Sequence, residues 1–106
     1  MRTKVLTILF AEPTRTSFFA FKSGESSIFD LHNKIKELFE KIISEYSGYL
    51  VKQIDYGYLI TFDNPTHGIS CGVAFQKNLN RVTANEKSRV LFRIGLHTGE
   101  VTIDDH

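Results

Sequence analysis

Apolar residues along the chain follow first one periodicity and then another, and these periodicities predict the secondary structure. Residues 4–11 (KVLTILFA) are β-branched and apolar for most of their length, which indicates a buried strand rather than an edge strand. Between Ile28 and Tyr46, apolar residues recur at spacings of three and four, which predicts an amphipathic helix of about five turns. Residues 49–54 and 58–62 are strand-like runs joined by a short segment that contains Gly57, which is the pattern of a hairpin.

The segments between and after these runs complete the pattern. Asn64 followed by Pro65 predicts a helix start, and that helix runs to about residue 79 or 82. Residues 90–101 (VLFRIGLHTGEV) predict a last strand. Residues 12–25 predict a loop, because they include proline, glycine and several hydroxyl residues. This loop holds Phe18, Phe19 and Phe21, which either cover the core or form a partner surface.

The predicted order is strand, helix, strand, strand, helix, strand. This is the ferredoxin-like βαββαβ arrangement, an α+β fold. Right-handed crossovers place both helices on one face of a four-stranded antiparallel sheet. Residues 1–106 make one domain, and the fold alone implies no function because unrelated activities use it.

Composition and charge narrow the classes of function. The chain is 42% hydrophobic and 24% charged, which is typical of a globular domain. The formal net charge of +1 lacks the basic excess of a nucleic-acid-binding surface. Apolar runs are too short to span a bilayer, so membrane insertion is not expected. The single cysteine, Cys71, excludes an internal disulfide and fits a reducing compartment, so a cytoplasmic location is expected.

Four stretches, in order, resemble the class III adenylate and guanylate cyclase family. VLTILFAEPTRTS resembles the family's first strand and its exit, F-A-D-I-x-G-F-T-S. LFEKIISEYSG has the spacing of the helix before the hairpin. GYLVKQIDYGYLITFDNPTHGI resembles G-G-x-x-V-K-x-I-G-D-G-F, followed by its helix, and RIGLHTGEV resembles R-I-G-I-H-T-G-E-V. The diguanylate cyclase signature G-G-[D/E]-E-F is absent from this hairpin.

The resemblance implies cyclisation of a nucleoside triphosphate with two divalent ions, commonly Mg²⁺, held by two aspartates. Glu12 occupies the position of the first aspartate and can still bind a hard cation. Tyr56 occupies the second, and a neutral phenol is a poor substitute for a carboxylate. Asp55 lies one residue earlier and remains a possible ligand, so Glu12 and Asp55 are the predicted metal ligands.

Two basic residues are the predicted nucleotide-binding residues. Lys52 matches the lysine with which adenine-specific members recognise the base. Arg15 stands where the family has the glycine of its phosphate-binding turn. An arginine there crowds the backbone approach, although its guanidinium can itself bind phosphate. Pro13 also departs from the family pattern and removes a backbone donor.

The family pattern continues beyond this sequence, which stops at His106. A second base-contacting residue and an N-x-x-x-R segment that stabilises the transition state are missing, so we expect no catalysis by this chain alone. Three hypotheses follow. The chain is a degenerate cyclase-homology domain that signals by association, as a homo-oligomer or with another cyclase-type domain. It is a cyclase subunit that binds ATP with Mg²⁺ or Mn²⁺ and needs a complementing chain. Or it is a ferredoxin-like binding module without nucleotide.

Overall fold

The computed structural model describes residues 2–22, 26–84 and 90–104. The four strands form one antiparallel sheet with the spatial order β2-β3-β1-β4, and the predicted α+β class is confirmed. The elements are β1 (Arg2–Pro13), α1 (Arg15–Lys22), α2 (Ser26–Glu45), β2 (Tyr49–Ile54), β3 (Gly57–Phe62), α3 (Pro65–Val82) and β4 (Phe92–Ile103).

The first strand lies in the middle of the sheet, as its apolar sequence predicts. β1 pairs with β3 from Thr7↔Phe62 to Ala11↔Tyr58, and it pairs with β4 along its whole length. Its burial nevertheless alternates, because Leu9 is fully buried whereas Phe10 is 54% exposed. The strand is therefore covered on one face only, and its continuous apolar character reflects an uncovered face that is itself apolar.

The core lies between the sheet and helices α2 and α3. The rings of Phe39 in α2 and Phe75 in α3 stack with their centroids 3.9 Å apart. Phe75 in turn meets Phe92 of β4 edge-on at 5.3 Å. These contacts join both helices to one face of the sheet. The fully buried side chains include Leu9, Leu31, Ile35, Phe39, Ile60, Phe62, Phe75 and Leu79.

The predicted loop at residues 12–25 contains a short helix, α1, so that prediction was wrong. Thr14 provides the start, since its side-chain oxygen accepts from the backbone N–H of Ser17 at 3.5 Å. The buried Ser17 hydroxyl in turn accepts from the backbone N–H of Leu91 at 2.9 Å. Phe18 is half-buried, and the side chains of Phe19 and Phe21 lie outside the described part of the structure. Residues 83–88 are a mostly polar segment between α3 and β4, and most of them also lie outside the described part.

α2 ends at Glu45 without a glycine at the left-handed position. Ser47 adopts the left-handed conformation, with φ of 58°, and the Gly48 N–H donates to the Ile43 carbonyl at 2.9 Å. Gly48 serves packing instead, because a Cβ there would lie 2.7 Å from the ring of Phe62. Gly48 thus follows the left-handed residue, and its lack of a side chain lets the backbone lie close to the ring of Phe62.

The start of α3 confirms the sequence prediction. The Asn64 side chain accepts from the backbone N–H of His67 at 2.8 Å, and Pro65 is the first helical residue. Gly68 and Gly72 face the sheet. A Cβ at Gly68 would lie 2.9 Å from Thr7 Cγ2, so this glycine lets α3 approach the sheet closely.

Candidate functional site

A cavity of about 660 Å³ lies on the uncovered face of the sheet, where β1 ends and the β2–β3 hairpin turns. Phe10 and Leu59 form part of its apolar floor. The backbone around Gly57 closes one side, since a Cβ there would lie 3.1 Å from the Ala11 carbonyl oxygen. Its charged lining residues are Glu12, Arg15, Lys52, Asp55 and Arg93.

All four site residues predicted from the sequence line this one cavity. Glu12 is near the end of β1, and Arg15 begins α1 directly after it. Lys52 comes from β2, next to the irregularity between Leu50 and Lys52. Asp55 comes from the hairpin turn. The fold therefore assembles the four residues from separate elements, and all four side chains are exposed.

Glu12 has an ion-pair partner that the sequence did not reveal. Arg93 of β4 lies directly opposite Glu12 in the sheet register, and its Nη2 is 2.9 Å from Glu12 Oε1. Both side chains are largely exposed, so the pair contributes little to stability. Its effect is local, because one carboxylate oxygen of the predicted metal ligand already accepts from a guanidinium. Arg93 lies within the RIGLHTGEV motif. The sequence did not show the register of β4 on β1, which places Arg93 opposite Glu12.

The hairpin turn separates Asp55 from Tyr56. Both residues have positive φ, 50° and 69°, and Ile54 pairs with Gly57, so the turn has two central residues. Asp55 lines the cavity. The Tyr56 ring instead packs against the helices, with its centroid 4.8 Å from that of His32 in α2. The alternation of a regular strand does not apply here, because the turn directs these two neighbours to different environments.

The contacts of Tyr56 form a small aromatic cluster beside the cavity. Its ring also meets Phe18 of α1 edge-on, with the centroids 6.0 Å apart. Burial lowers the pKa of His32, and the nearby positive charge of Lys36 lowers it further. The cluster holds the turn against α1 and α2, and spacing along the sequence gave no sign of it.

Tyr58 of β3 borders the cavity, but its ring lies on the covered face, with its centroid 4.6 Å from that of Phe39 in α2. Burial raises the pKa of Tyr58 to about 12, and the negative charge of Glu40 adds to the shift. The phenol therefore stays protonated at neutral pH and is unsuited to act as a base. Within residues 2–22, 26–84 and 90–104, no group of three or more His, Cys, Asp or Glu side chains is arranged to hold a metal ion.

The comparison with protein families identifies this architecture. The model of the adenylate and guanylate cyclase catalytic domain matches residues 1–104. The chain belongs to this cyclase family. None of the described helices has the length and apolar character needed to cross a membrane.

Solved cyclases share the fold of this cyclase-family chain. The adenylyl cyclase CyaB from P. aeruginosa superimposes with a TM-score of 0.80 at 21% identity, over 93% of this chain and 58% of that one. An adenylate/guanylate cyclase/hydrolase from Silicibacter pomeroyi gives 0.81 at 21% identity, over 99% and 62%. A bacterial light-regulated adenylyl cyclase gives 0.82 at 20% identity, over 96% and 57%. The chain thus spans less than two thirds of each.

A curated relative is a much larger protein. The serine/threonine-protein kinase pkn2 from Myxococcus xanthus is 36% identical over 74 residues. These residues are 68% of this chain and 9% of the kinase. The chain therefore resembles one small segment of that relative.

Proposed function

We propose that the chain is a cyclase-homology domain without cyclase activity of its own, which works in cytoplasmic signalling by associating with another domain. One observation carries the proposal: the carboxylates needed for metal binding are not available as a pair. Glu12 forms an ion pair with Arg93 at 2.9 Å, and the position of the second aspartate holds Tyr56, whose ring packs against His32. Asp55 is left as the second acidic residue of the cavity.

This donor set does not fit the two divalent ions of the family's chemistry. Two hard cations need several oxygen ligands between them, with carboxylates that bridge or face both ions. The cavity offers two carboxylates among three basic side chains, and one of the carboxylates is already paired. If nucleotide binding is retained, Glu12 and Asp55 would hold a single Mg²⁺ or Mn²⁺.

The uncovered face of the sheet supports association. Phe10, Ile54 and Tyr49 are 54%, 56% and 70% exposed, which is unusual for such large side chains on one surface. The resemblance to the cyclase family implies a tendency to pair, so a second copy or another cyclase-type domain is the proposed partner. The similarity to a segment of a serine/threonine-protein kinase supports a role in signalling.

A second candidate function rests on the assembly of the cavity. Lys52, Arg15, Glu12 and Asp55 come from four separate elements and meet in one cavity large enough for a nucleotide. In this alternative the chain is a subunit of an adenylate cyclase that converts ATP to cyclic AMP. Lys52 would contact the base and Arg15 the phosphates, and a complementing chain would supply the residues that stabilise the transition state.

Calorimetric titration with ATP and Mn²⁺ distinguishes the two candidates. We expect no saturable heat from the wild-type chain and a gain of metal-dependent binding in Tyr56→Asp. Aspartate tolerates the positive φ of this position, so the turn can keep its shape. Tyr56→Asn is the matched control, since it loses the same aromatic contacts and has nearly the same size but carries no charge.

Each result has a distinct meaning. Binding gained by Tyr56→Asp and not by Tyr56→Asn means that the missing carboxylate abolished the metal site. Saturable, Mn²⁺-dependent binding of ATP by the wild-type chain contradicts the proposal and favours the cyclase subunit. In that case Asp55→Asn should remove the binding, because Asp55 would be the ligand that replaces the lost aspartate.

A further inference from the structure

The uncovered face of the sheet carries a large exposed side chain directly beside an open gap. Phe10 of β1 pairs with Gly95 of β4, so both residues lie on this face. Phe10 is 54% exposed. No atom of the described residues lies within 4 Å of the point where a Cβ would stand on Gly95. The ring of Phe10 therefore projects from the sheet, while the neighbouring position on β4 is left unfilled.

The neighbouring side chains of β4 border this gap without filling it. His97 lies two residues along the strand, so it shares the uncovered face with Gly95. Its ring lies over Gly99, where a Cβ would be 2.9 Å from His97 Nε2. Arg93 lies two residues in the other direction and is directed to Glu12. The space above Gly95 can therefore receive a side chain from another molecule.

We propose that the uncovered faces of two copies of this chain pack together, with Phe10 of each copy inserted over Gly95 of the other. This inference rests on the association proposed above and names its partner and its contact surface. A two-fold axis parallel to the strands and midway between β1 and β4 relates the copies, so β1 of each lies over β4 of the other. The two sheets are then about 10 Å apart, the usual distance for sheets packed face to face.

The register of β1 on β4 determines the charges that meet between the copies. With this axis, each residue of β1 faces, in the second copy, the same residue with which it pairs inside its own copy. Glu12 pairs with Arg93, so Glu12 of each copy also faces Arg93 of the other. Glu12 Oε1 accepts from Arg93 Nη2 of the same copy at 2.9 Å, and Oε2 can accept from the guanidinium of the second copy. Opposite charges therefore meet on both sides of the axis.

This contact uses the faces of β1 and β4 and not the edge of either strand. β1 lies between β3 and β4 in the sheet, and a further strand beside β4 would leave the Phe10 ring and the Gly95 gap unchanged. The overlap of two strands is about 10 Å wide and about 40 Å long at most. Such an area is typical of a weak, reversible contact, so we expect the dimer to form only at high concentration.

Filling the gap at Gly95 tests the shape of the contact by sedimentation equilibrium on the 106-residue chain. Gly95→Val is expected to weaken the dimer about tenfold or more, and Gly95→Ala less, because the new side chain occupies the space of the Phe10 ring. Neither should harm the fold, since a Cβ at Gly95 meets no described atom and valine suits a strand better than glycine. Thr102→Val is the matched control, because it places the same residue at an exposed position of β4 on the other face.

Charge reversal in separate chains tests the contact between Glu12 and Arg93 independently. Glu12→Arg and Arg93→Glu each place like charges between the copies, so each variant alone is expected to stay monomeric where the wild-type chain dimerises. A mixture of the two variants restores opposite charges between the copies and is expected to form a heterodimer. Inside each copy the charges stay alike, so a contact within one chain cannot produce this recovery. Both side chains are exposed, and circular dichroism should show an unchanged fold.

The outcomes separate this inference from the proposed function. A wild-type chain that is monomeric at millimolar concentration, a dimer that Gly95→Val weakens no more than Thr102→Val, or a mixture of the charge variants that stays monomeric would overturn the inference. Each of these results leaves the proposed function standing, because another cyclase-type domain can then be the partner. The ATP and Mn²⁺ titration, run below the concentration at which the chain dimerises, tests the missing metal site by itself.

Discussion

The two faces of the sheet are built from the same strands but serve different purposes. On the face that meets the helices, Leu9, Ile60 and Phe62 are at most 1% exposed. On the opposite face, Phe10 and Ile54 are more than half exposed. Because side chains alternate along a strand, each strand contributes to both surfaces. Folding stability therefore comes from one face, while the cavity and much of the exposed apolar surface belong to the other.

The largest expected effect is the loss of an aromatic ring from the covered face. Phe75→Ala should reduce the free energy of unfolding by about 3–5 kcal/mol, because Phe75 is fully buried and stacks on Phe39 at 3.9 Å. Phe10→Ala removes a ring of the same size from the uncovered face and should cost less than about 1 kcal/mol. Urea denaturation of both variants measures the difference, and equal losses would mean that the uncovered face is also part of the folded core.

The covered face was the part of the molecule that the sequence predicted best. The spacing of Ile35, Phe39 and Ile42 follows helical periodicity, and all three are buried in the core. Turn and cap signals likewise located the hairpin and the Asn64 cap. These predictions succeeded because local periodicity and backbone chemistry determine which side of an element faces the core.

The site was predicted less completely because it depends on register and turn geometry. The four predicted residues do line one cavity, but their roles as ligands stay predictions. The Glu12–Arg93 pair joins residues 81 positions apart, and only the pairing of β1 with β4 brings them together. The opposite directions of Asp55 and Tyr56 follow from two consecutive positive φ values. Neither feature has a signal in residue spacing.

A smaller effect on the covered face should appear at alkaline pH. Burial raises the pKa of Tyr58 from 10.0 to about 12, so the unfolded chain releases this proton first. The contribution of Tyr58 to the free energy of unfolding is therefore fully present below pH 10. It is lost as the pH rises towards 12, which amounts to up to about 2–3 kcal/mol. Burial also raises the pKa of Cys71 to about 11, which adds a loss that begins near pH 9.

Tyr58→Phe isolates the contribution of the phenol. Urea denaturation at pH 8 and pH 11 should show a smaller loss in this variant than in the wild-type chain, because the Cys71 contribution is common to both. An equal loss in the two chains would mean that the Tyr58 hydroxyl ionises as easily in the folded state as in the unfolded one, and that the covered face admits water at this point.

The smallest effect on stability, and the sharpest test of the uncovered face, concerns Arg93. Arg93→Ala removes an exposed ion pair and should change the free energy of unfolding by less than about 1 kcal/mol. Lys4→Ala is the matched control, because it removes another exposed pair, with Asp63 at 2.9 Å, and should have an equally small effect. Only Arg93→Ala releases Glu12. Combined with Tyr56→Asp, it should therefore tighten Mn²⁺ binding in calorimetry, whereas Lys4→Ala in the same background should not. Equal affinities in the two combinations would show that the Arg93 pair does not restrict Glu12, and the proposed loss of metal binding would then be attributed to the hairpin turn alone.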